Sequence, residues 1–209
     1  TLFRSLHESQ LNFELLRPFG LTDIPSLESI SEMVGAFQPK AVELPSNVLE
    51  KLSAASKTVV LHPKSQGSAV EWPMKSYVEL AKKLADNGYT VFFTGTEKEG
   101  ELFRNDLPNH PQIVDLSGTM TLEQLIVFIS KVQNLVACST GPLHIAGFLG
   151  VRTIGLFSPR KPIHPGRWKA LGPNVSILVY DPECPTCKKK KACDCIQSIS
   201  VERVLGEIA

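Results

Sequence analysis

The sequence lacks the features that would place it in a membrane or on nucleic acid. Its formal net charge is +1, so no overall field would draw it to a polyanion. No apolar run approaches the ~20 residues of a membrane-spanning helix. The start, Thr1 to His7, has too short an apolar core for a secretory signal. What is left is a composition of 43% hydrophobic and 21% charged residues, which is that of an ordinary globular protein.

An initiator methionine is also missing, and the sequence opens inside a helical pattern. Apolar residues recur at helical intervals up to Phe19, and Gly20 is a typical helix stop. Residues 20–47 contain several prolines, which predict a connector with little regular structure. We therefore expect residues 1–47 to be a linker helix and connector from an N-terminal domain outside this sequence, and residues 48–209 to be one Rossmann-like domain.

From residue 57 onward, short apolar runs alternate with helical patterns. Continuous apolar runs indicate strands that are buried on both faces, as in a parallel sheet between helices. Right-handed crossovers then predict a doubly wound α/β domain with a mainly parallel, Rossmann-like sheet. The predicted strands are 58–62, 90–94, 112–116, 135–138, 153–157 and 175–179, and the predicted helices are 47–55, 73–87, 97–105, 121–132, 141–149 and 200–208.

Polar residues and glycines follow four of these strands. Ligands of open parallel sheets bind at the carboxyl ends of the strands, so these turns should lie along one edge of the domain. The turns are residues 62–68, 95–99, 117–120 and 139–144.

The turn after the strand at 135–138 predicts an anion site. Thr140 can cap the following helix, and Pro142 stands in its first turn, where a missing N–H costs nothing. Free N–H groups and the helix dipole would then favour a diphosphate. His144 lies within the same turn. The alternatives are an ordinary helix start and a structural histidine.

The turns at 62–68 and 95–99 supply further candidates. Lys64 offers a mobile positive charge and Ser65 a hydroxyl, although the Gly-Lys-Ser/Thr ending of a P-loop is missing. Trp72 should pack against the domain and hold the loop at 62–68 in place. This argues against the alternative that the loop is only a polar surface turn. Glu97 and Glu99 could bind ribose hydroxyls, or could simply favour the helix start.

Five cysteines are present. Cys138 stands in an apolar strand, the usual place for a buried thiol. The other four, Cys184, Cys187, Cys193 and Cys195, could hold one tetrahedral zinc ion. The single residue between the last two is awkward for a zinc knuckle, so free thiols or a disulfide are favoured over zinc.

Several motifs, and their order along the chain, resemble those of glycosyltransferase family 9, the heptosyltransferase family. The match covers nearly the whole chain. The motifs are Leu61-His62-Pro63, Trp72-Pro73, Phe93-Thr94-Gly95-Thr96, Leu116-Ser117-Gly118, Ser139-Thr140-Gly141-Pro142-Leu143-His144 and Gly155-Leu156-Phe157-Ser158-Pro159.

The resemblance implies one half of a GT-B enzyme that transfers heptose, or a related sugar, from ADP-heptose to the lipopolysaccharide core or another glycan, with inversion and with neither metal nor cofactor. It implies that this half binds the donor, whereas the other half binds the acceptor and holds the catalytic carboxylate. Transfer by this chain alone is therefore not expected. The implied location is cytoplasmic, with peripheral association at the inner face of the inner membrane.

The resemblance also implies individual roles. Lys64 and Ser65 would face the phosphates, Glu99 (or Glu97) the ribose and Met120 the adenine. The whole implied donor-binding set is Lys64, Ser65, Thr94, Gly95, Glu99, Met120, Ser139, Thr140, Gly141, Pro142 and His144.

Two positions depart from the family pattern. Ser139 stands where many relatives have an aspartate that contacts the heptose, and Val70 where many have a lysine. These departures bear on heptose specificity, and Lys64 could bind the phosphate in place of a lysine at position 70. Two rival functions are a sugar-nucleotide epimerase of the same fold, which would need no acceptor, and a non-enzymatic zinc-knuckle module.

Overall fold

A parallel six-stranded sheet forms the centre of the protein. The computed structural model describes residues 6–35, 37–189, 191 and 193–208. The strands are β1 (Lys57–His62), β2 (Tyr89–Phe93), β3 (Ile113–Asp115), β4 (Asn134–Cys138), β5 (Arg152–Phe157) and β6 (Val175–Val179). The predicted fold class, a doubly wound parallel α/β sheet, is confirmed.

Helices connect and flank these strands. In the described residues they are α1 (Glu8–Glu14), α2 (Leu27–Val34), α3 (Ser46–Ser53), α4 (Met74–Asp86), α5 (Glu97–Glu101), α6 (Leu122–Ile129), α7 (Gly141–Phe148), α8 (Pro165–Trp168), α9 (Pro185–Lys188) and α10 (Val201–Leu205). None of the helices in this part of the chain is long and apolar enough to cross a membrane.

The strand order is β3-β2-β1-β4-β5-β6, so the direction of winding reverses between β1 and β4. These two strands pair in register from Val59 with Asn134 to His62 with Ala137. Because the chain leaves β1 towards one side and β4 towards the other, the loops after them diverge and leave a crevice.

Both faces of the sheet are buried. Val59 and Leu61 of β1 belong to the hydrophobic cluster on one face, whereas Val60 belongs to the cluster on the other, and all three side chains are fully buried. Successive residues of a strand point to opposite faces. This burial explains why β1 reads as an uninterrupted apolar run.

The connector is more ordered than the sequence predicts. Residues 20–47 contain α2, whose start is capped by the Ser26 hydroxyl, which accepts a hydrogen bond from the Ser29 N–H at 3.1 Å. The expectation of little regular structure there is wrong, because this cap starts a helix among the prolines. Residues 1–5 and 36 of the predicted linker lie outside the described residues.

The leading helix is also shorter than predicted, and it is attached to the domain. Among the described residues it spans α1 only and is followed by a 3₁₀ turn at Arg17–Phe19. His7 Nε2 donates to the Lys169 carbonyl at 2.9 Å, and Glu8 pairs with Arg167 at 2.5 Å. Two polar contacts therefore fix the orientation of α1 against the region of α8.

Trp72 anchors the loop that follows β1, as predicted. Its indole N–H donates to the Ile199 carbonyl at 2.9 Å, and its backbone N–H donates to Cys138 Sγ at 3.3 Å. Its ring meets Tyr77 of α4 edge to face, with centroids 5.0 Å apart. One fully buried side chain thus joins the loop to β4 and to the segment before α10.

The position of α7 depends on a close backbone approach, which can be tested. A Cβ at Gly147 would lie 2.5 Å from the Leu171 carbonyl oxygen. We expect Gly147→Ala to lower the free energy of unfolding by about 1–3 kcal/mol, because the helix must shift to relieve this contact. Urea unfolding measures the effect. Gly35→Ala is the control, since its nearest contact would be 3.4 Å. Equal stability of the two variants would contradict this packing.

Candidate functional site

Two adjoining cavities lie at the start of α7. The first has a volume of about 420 Å³ and the second of about 350 Å³. Three residues, Ser68, Thr140 and Gly141, line both of them. Since Thr140 follows β4 at the point where the strand order reverses, the cavities occupy the crevice that this topology creates.

The first cavity crosses four strand ends. It is lined by residues that follow β1, β2, β3 and β4, among them Lys64, Ser65, Gly95, Glu99, Met120, Thr140, Gly141 and Pro142. Eight of the eleven residues in the implied donor-binding set therefore meet in one space. The side chains of Met120, Leu122, Leu125 and Ile145 add an apolar surface, which suits a nucleobase.

Thr140 has a hydroxyl without a partner. It occupies the N-cap position of α7, as predicted, but its side chain makes no capping hydrogen bond, which corrects the prediction. Its Oγ1 is buried, and the described residues supply no hydrogen-bond partner for it. A buried hydroxyl left unpaired costs free energy, so a ligand oxygen beside it would be favoured.

Gly141 keeps the approach to this helix start open. A Cβ at this position would meet nothing within 4 Å. The next residue, Pro142, has no N–H, and the Leu143 N–H already donates to the Thr140 carbonyl at 3.1 Å. The Gly141 amide is therefore the backbone donor that α7 presents to the cavities, together with the positive end of its dipole.

A carboxylate that the sequence reasoning missed organises the loop after β1. Glu71 Oε2 accepts from Lys64 Nζ at 3.0 Å, and Oε1 accepts from the Ser65 backbone N–H and hydroxyl at 2.9 and 3.0 Å. Ser68 Oγ then donates to the Ser65 carbonyl at 2.8 Å. Lys64 is consequently held at the cavity with its charge already balanced.

Glu99, rather than Glu97, faces the first cavity. Glu99 is buried, and its Oε2 accepts from the Thr96 N–H at 2.7 Å and from the Thr96 hydroxyl at 3.0 Å. In the described part of the chain, Oε1 accepts no comparable hydrogen bond. Glu97 instead pairs with Arg104 at 2.9 Å and lines neither cavity. Glu99 is thus the acidic residue available to a ligand hydroxyl.

His62 lines the first cavity, and the set implied by the resemblance omits it. Its Nδ1 lies 3.0 Å from Thr94 Oγ1. Burial lowers the pKa of His62, which keeps the imidazole neutral at neutral pH. Thr94 itself is only 1% exposed and lines neither cavity. Its implied role as a ligand contact stays a prediction, and its hydroxyl is engaged by His62.

The second cavity contains two of the three remaining implied residues, Ser139 and His144. Burial lowers the pKa of the His144 imidazole, so it is a neutral hydrogen-bonding group. Arg167 and Trp168 of α8 complete the wall, and the sequence reasoning did not identify them. The helix start His164-Pro165, with proline in the first turn, was the available signal.

The four clustered cysteines converge, although not at the cavities. The sulfur atoms of Cys184, Cys187, Cys193 and Cys195 all lie within 4.8 Å of one another. All four cysteines are free, so the structure contains no disulfide among them. The single residue between Cys193 and Cys195, which the sequence analysis found awkward for a zinc knuckle, still allows all four sulfurs to meet.

The family model and the relatives found by comparison with known proteins agree on one family. The model of glycosyltransferase family 9 (heptosyltransferase) matches residues 10–196. A putative glycosyltransferase of Haemophilus influenzae is 28% identical over 97% of this chain and 59% of its own length.

Two solved structures share the fold. The family 9 glycosyl transferase of Veillonella parvula superposes with a TM-score of 0.70 at 18% identity, covering 97% of this chain and 59% of that protein. ADP-heptose lps heptosyltransferase II of E. coli superposes with a TM-score of 0.61 at 22% identity, covering 81% of this chain and 54% of that protein. The chain thus spans between half and three fifths of the length of these three proteins.

The buried imidazole of His62 makes stability depend on pH. Its folded pKa lies below the unfolded value of 6.5, so below that pH the unfolded chain binds the proton more readily. We expect the free energy of unfolding to be greatest above pH 6.5 and to fall as the pH is lowered. Urea titrations between pH 7.5 and 5 should show a shallower fall in His62→Gln.

His164→Gln is the comparison for this test. The pKa of His164 is lowered by burial too, but its ring is less enclosed, so its replacement should change the pH dependence less. An unchanged pH dependence in His62→Gln would show that this imidazole is protonated as readily in the folded protein as in the unfolded chain.

Proposed function

The chain belongs to glycosyltransferase family 9, the heptosyltransferase family, and on that premise we propose that its two cavities bind a nucleoside-diphosphate sugar. The proposed donor is ADP-heptose, for inverting transfer to a lipopolysaccharide core. The main support is the start of α7, where the unpaired Thr140 hydroxyl and the open Gly141 amide border both cavities.

The diphosphate would lie across this shared border. A ligand whose two ends occupy different cavities must pass Ser68, Thr140 and Gly141, which line both. A hydroxyl, a free amide and a helix dipole there favour phosphate oxygens. Lys64 adds an ammonium with three N–H donors, so it can keep its bond to Glu71 and still donate to a phosphate.

The nucleoside would occupy the first cavity. Met120, Leu122 and Leu125 offer an apolar surface for a base, and Glu99 has a carboxylate oxygen for ribose hydroxyls. This assignment agrees with the roles that the family resemblance implies for Met120 and Glu99.

The sugar would occupy the second cavity. Ser139, neutral His144 and Arg167 offer hydrogen bonds to sugar hydroxyls, and Trp168 offers an aromatic face. Arg167 is held by Glu8 of α1 at 2.5 Å. The leading helix therefore positions one wall of the proposed sugar site.

Residues 48–209 are accordingly proposed as the donor-binding domain and residues 1–47 as its linker. Inversion needs a general base beside the acceptor hydroxyl, whereas His62, the imidazole of the first cavity, is already engaged with Thr94. We propose that the base and the acceptor site belong to the part of the full-length relatives that this chain does not span. A cytoplasmic location with peripheral membrane association rests on the family resemblance alone.

Calorimetric titration with ADP, UDP and GDP tests the proposal. ADP should bind most tightly, because the first cavity is assigned to adenosine. Lys64→Ala should weaken ADP binding by about 1–3 kcal/mol through loss of a charge-assisted hydrogen bond. Lys75→Ala is the matched control, since Lys75 is exposed on α4 away from both cavities. No heat with any of the three nucleotides would refute the proposed function.

Replacement of Thr140 should change binding and stability in opposite directions. Thr140→Val keeps the shape of the side chain but removes the unpaired hydroxyl. We expect the free protein to gain about 1 kcal/mol of stability, because no buried hydroxyl is left unsatisfied, and ADP binding to weaken by about 1–3 kcal/mol. Thermal unfolding and calorimetry measure the two effects. Thr140→Ser should retain binding, and tight ADP binding by the valine variant would exclude a hydroxyl contact.

A further inference from the structure

The segment between β6 and α10 contains a cluster of thiols that the proposed donor site does not use. Cys184 and Cys193 have their sulfur atoms 3.5 Å apart, and those of Cys193 and Cys195 are 3.3 Å apart. Four sulfurs bonded to one zinc ion at ~2.3 Å in a tetrahedron lie about 3.8 Å from one another. The observed sulfur positions, all within 4.8 Å, therefore match one coordination sphere.

We propose that Cys184, Cys187, Cys193 and Cys195 bind one structural zinc ion as four thiolates. Four protein ligands close a tetrahedral site, so no position is left for a water or a substrate. The ion would stabilise this segment and would take no part in sugar transfer.

The local backbone suits a metal-binding thiolate. Cys184 directly precedes α9, which has proline in its first turn, and Cys187 follows within that same turn. Backbone N–H groups of Cys187 and Thr186 donate towards the Cys184 sulfur. Such N–H donors stabilise sulfur ligands in their ionised form.

The charges around the cluster are complementary. Four thiolates and one Zn²⁺ together have a net charge of about −2. Lys189 and Lys191 lie between the two cysteine pairs with exposed side chains, whereas Lys188 there is paired with Glu183. Lysine side chains there would offset the negative charge of the zinc-bound site while they remain exposed to solvent.

The cluster braces the wall of the second cavity. Cys187 Sγ lies 3.5 Å from the hydroxyl of Ser158, the first residue after β5. The segment that begins at Ser158 continues into Pro162, Ile163 and α8, which line that cavity. Loss of zinc should thus loosen the proposed sugar wall more than the nucleoside cavity.

Metal analysis of the purified chain tests the proposal directly. Protein prepared under reducing conditions without chelators, and then incubated with zinc chloride and desalted, should contain about one zinc per chain. Replacement of zinc by Co²⁺ should produce thiolate-to-cobalt charge-transfer absorption, which reports sulfur ligation. Less than about one tenth of an equivalent of zinc, a full equivalent of iron instead, or a disulfide within the cluster of the reduced protein would each overturn the proposal.

Cysteine variants distinguish a loss of zinc binding from a loss of folding. Cys193 is the least buried of the four, so Cys193→Ser should fold, as judged by circular dichroism, but should lose zinc and cobalt absorption. Cys193→His should keep about one equivalent, since imidazole is also a zinc ligand. Cys138→Ala is the matched control, because it removes a thiol outside the cluster and should keep zinc. A full equivalent in folded Cys193→Ser would overturn the assignment.

The same preparations distinguish this inference from the proposed function. Nucleotide binding depends on Thr140 and Lys64, which lie outside the cysteine cluster. A chain that binds zinc but no nucleotide would refute the donor site alone, and a chain that binds ADP without zinc would refute the metal site alone.

Discussion

The parallel pairing of β1 with β4 is the constraint on which the site depends. Winding proceeds from β1 towards β3 on one side and from β4 towards β6 on the other. The loops after β1 and β4 must therefore separate, and the space between them cannot be filled by either. The loop of Lys64 and the helix start at Thr140 border this space because each directly follows one of the two strands. Their meeting is a consequence of topology, not of sequence proximity.

The polar groups of the crevice are organised before any ligand arrives. Lys64 is paired with Glu71, and Arg167 is paired with Glu8. These contacts orient the cations, so little side-chain freedom remains to be lost when an anion binds. The Thr140 hydroxyl is the exception, since its hydrogen-bonding capacity is unused among the described residues. This combination of oriented cations and one unsatisfied hydroxyl suits the diphosphate that we propose as the ligand.

Some of the site could be read from the sequence, and some could not. Thr140, Gly141 and Pro142 predict a helix start after a strand, and this local pattern places them correctly. Glu71 could not be assigned, because a carboxylate seven positions after Lys64 meets it only when the loop folds back. The hydrogen bond between Thr94 and His62 could not be assigned for a related reason, because these two residues meet only when β1 and β2 pair.

The sequence alone determined the fold class and the family, because buried parallel strands leave continuous apolar runs and their turns keep characteristic residues. It also determined which four cysteines are close along the chain. Only the tertiary structure decided that their sulfurs converge, that α2 orders the connector, and that Arg167 of α8 reaches the cavity beside His144. Periodicity and capping are local properties of a chain. Contacts between distant segments depend on how whole elements pack, and no local pattern contains that information.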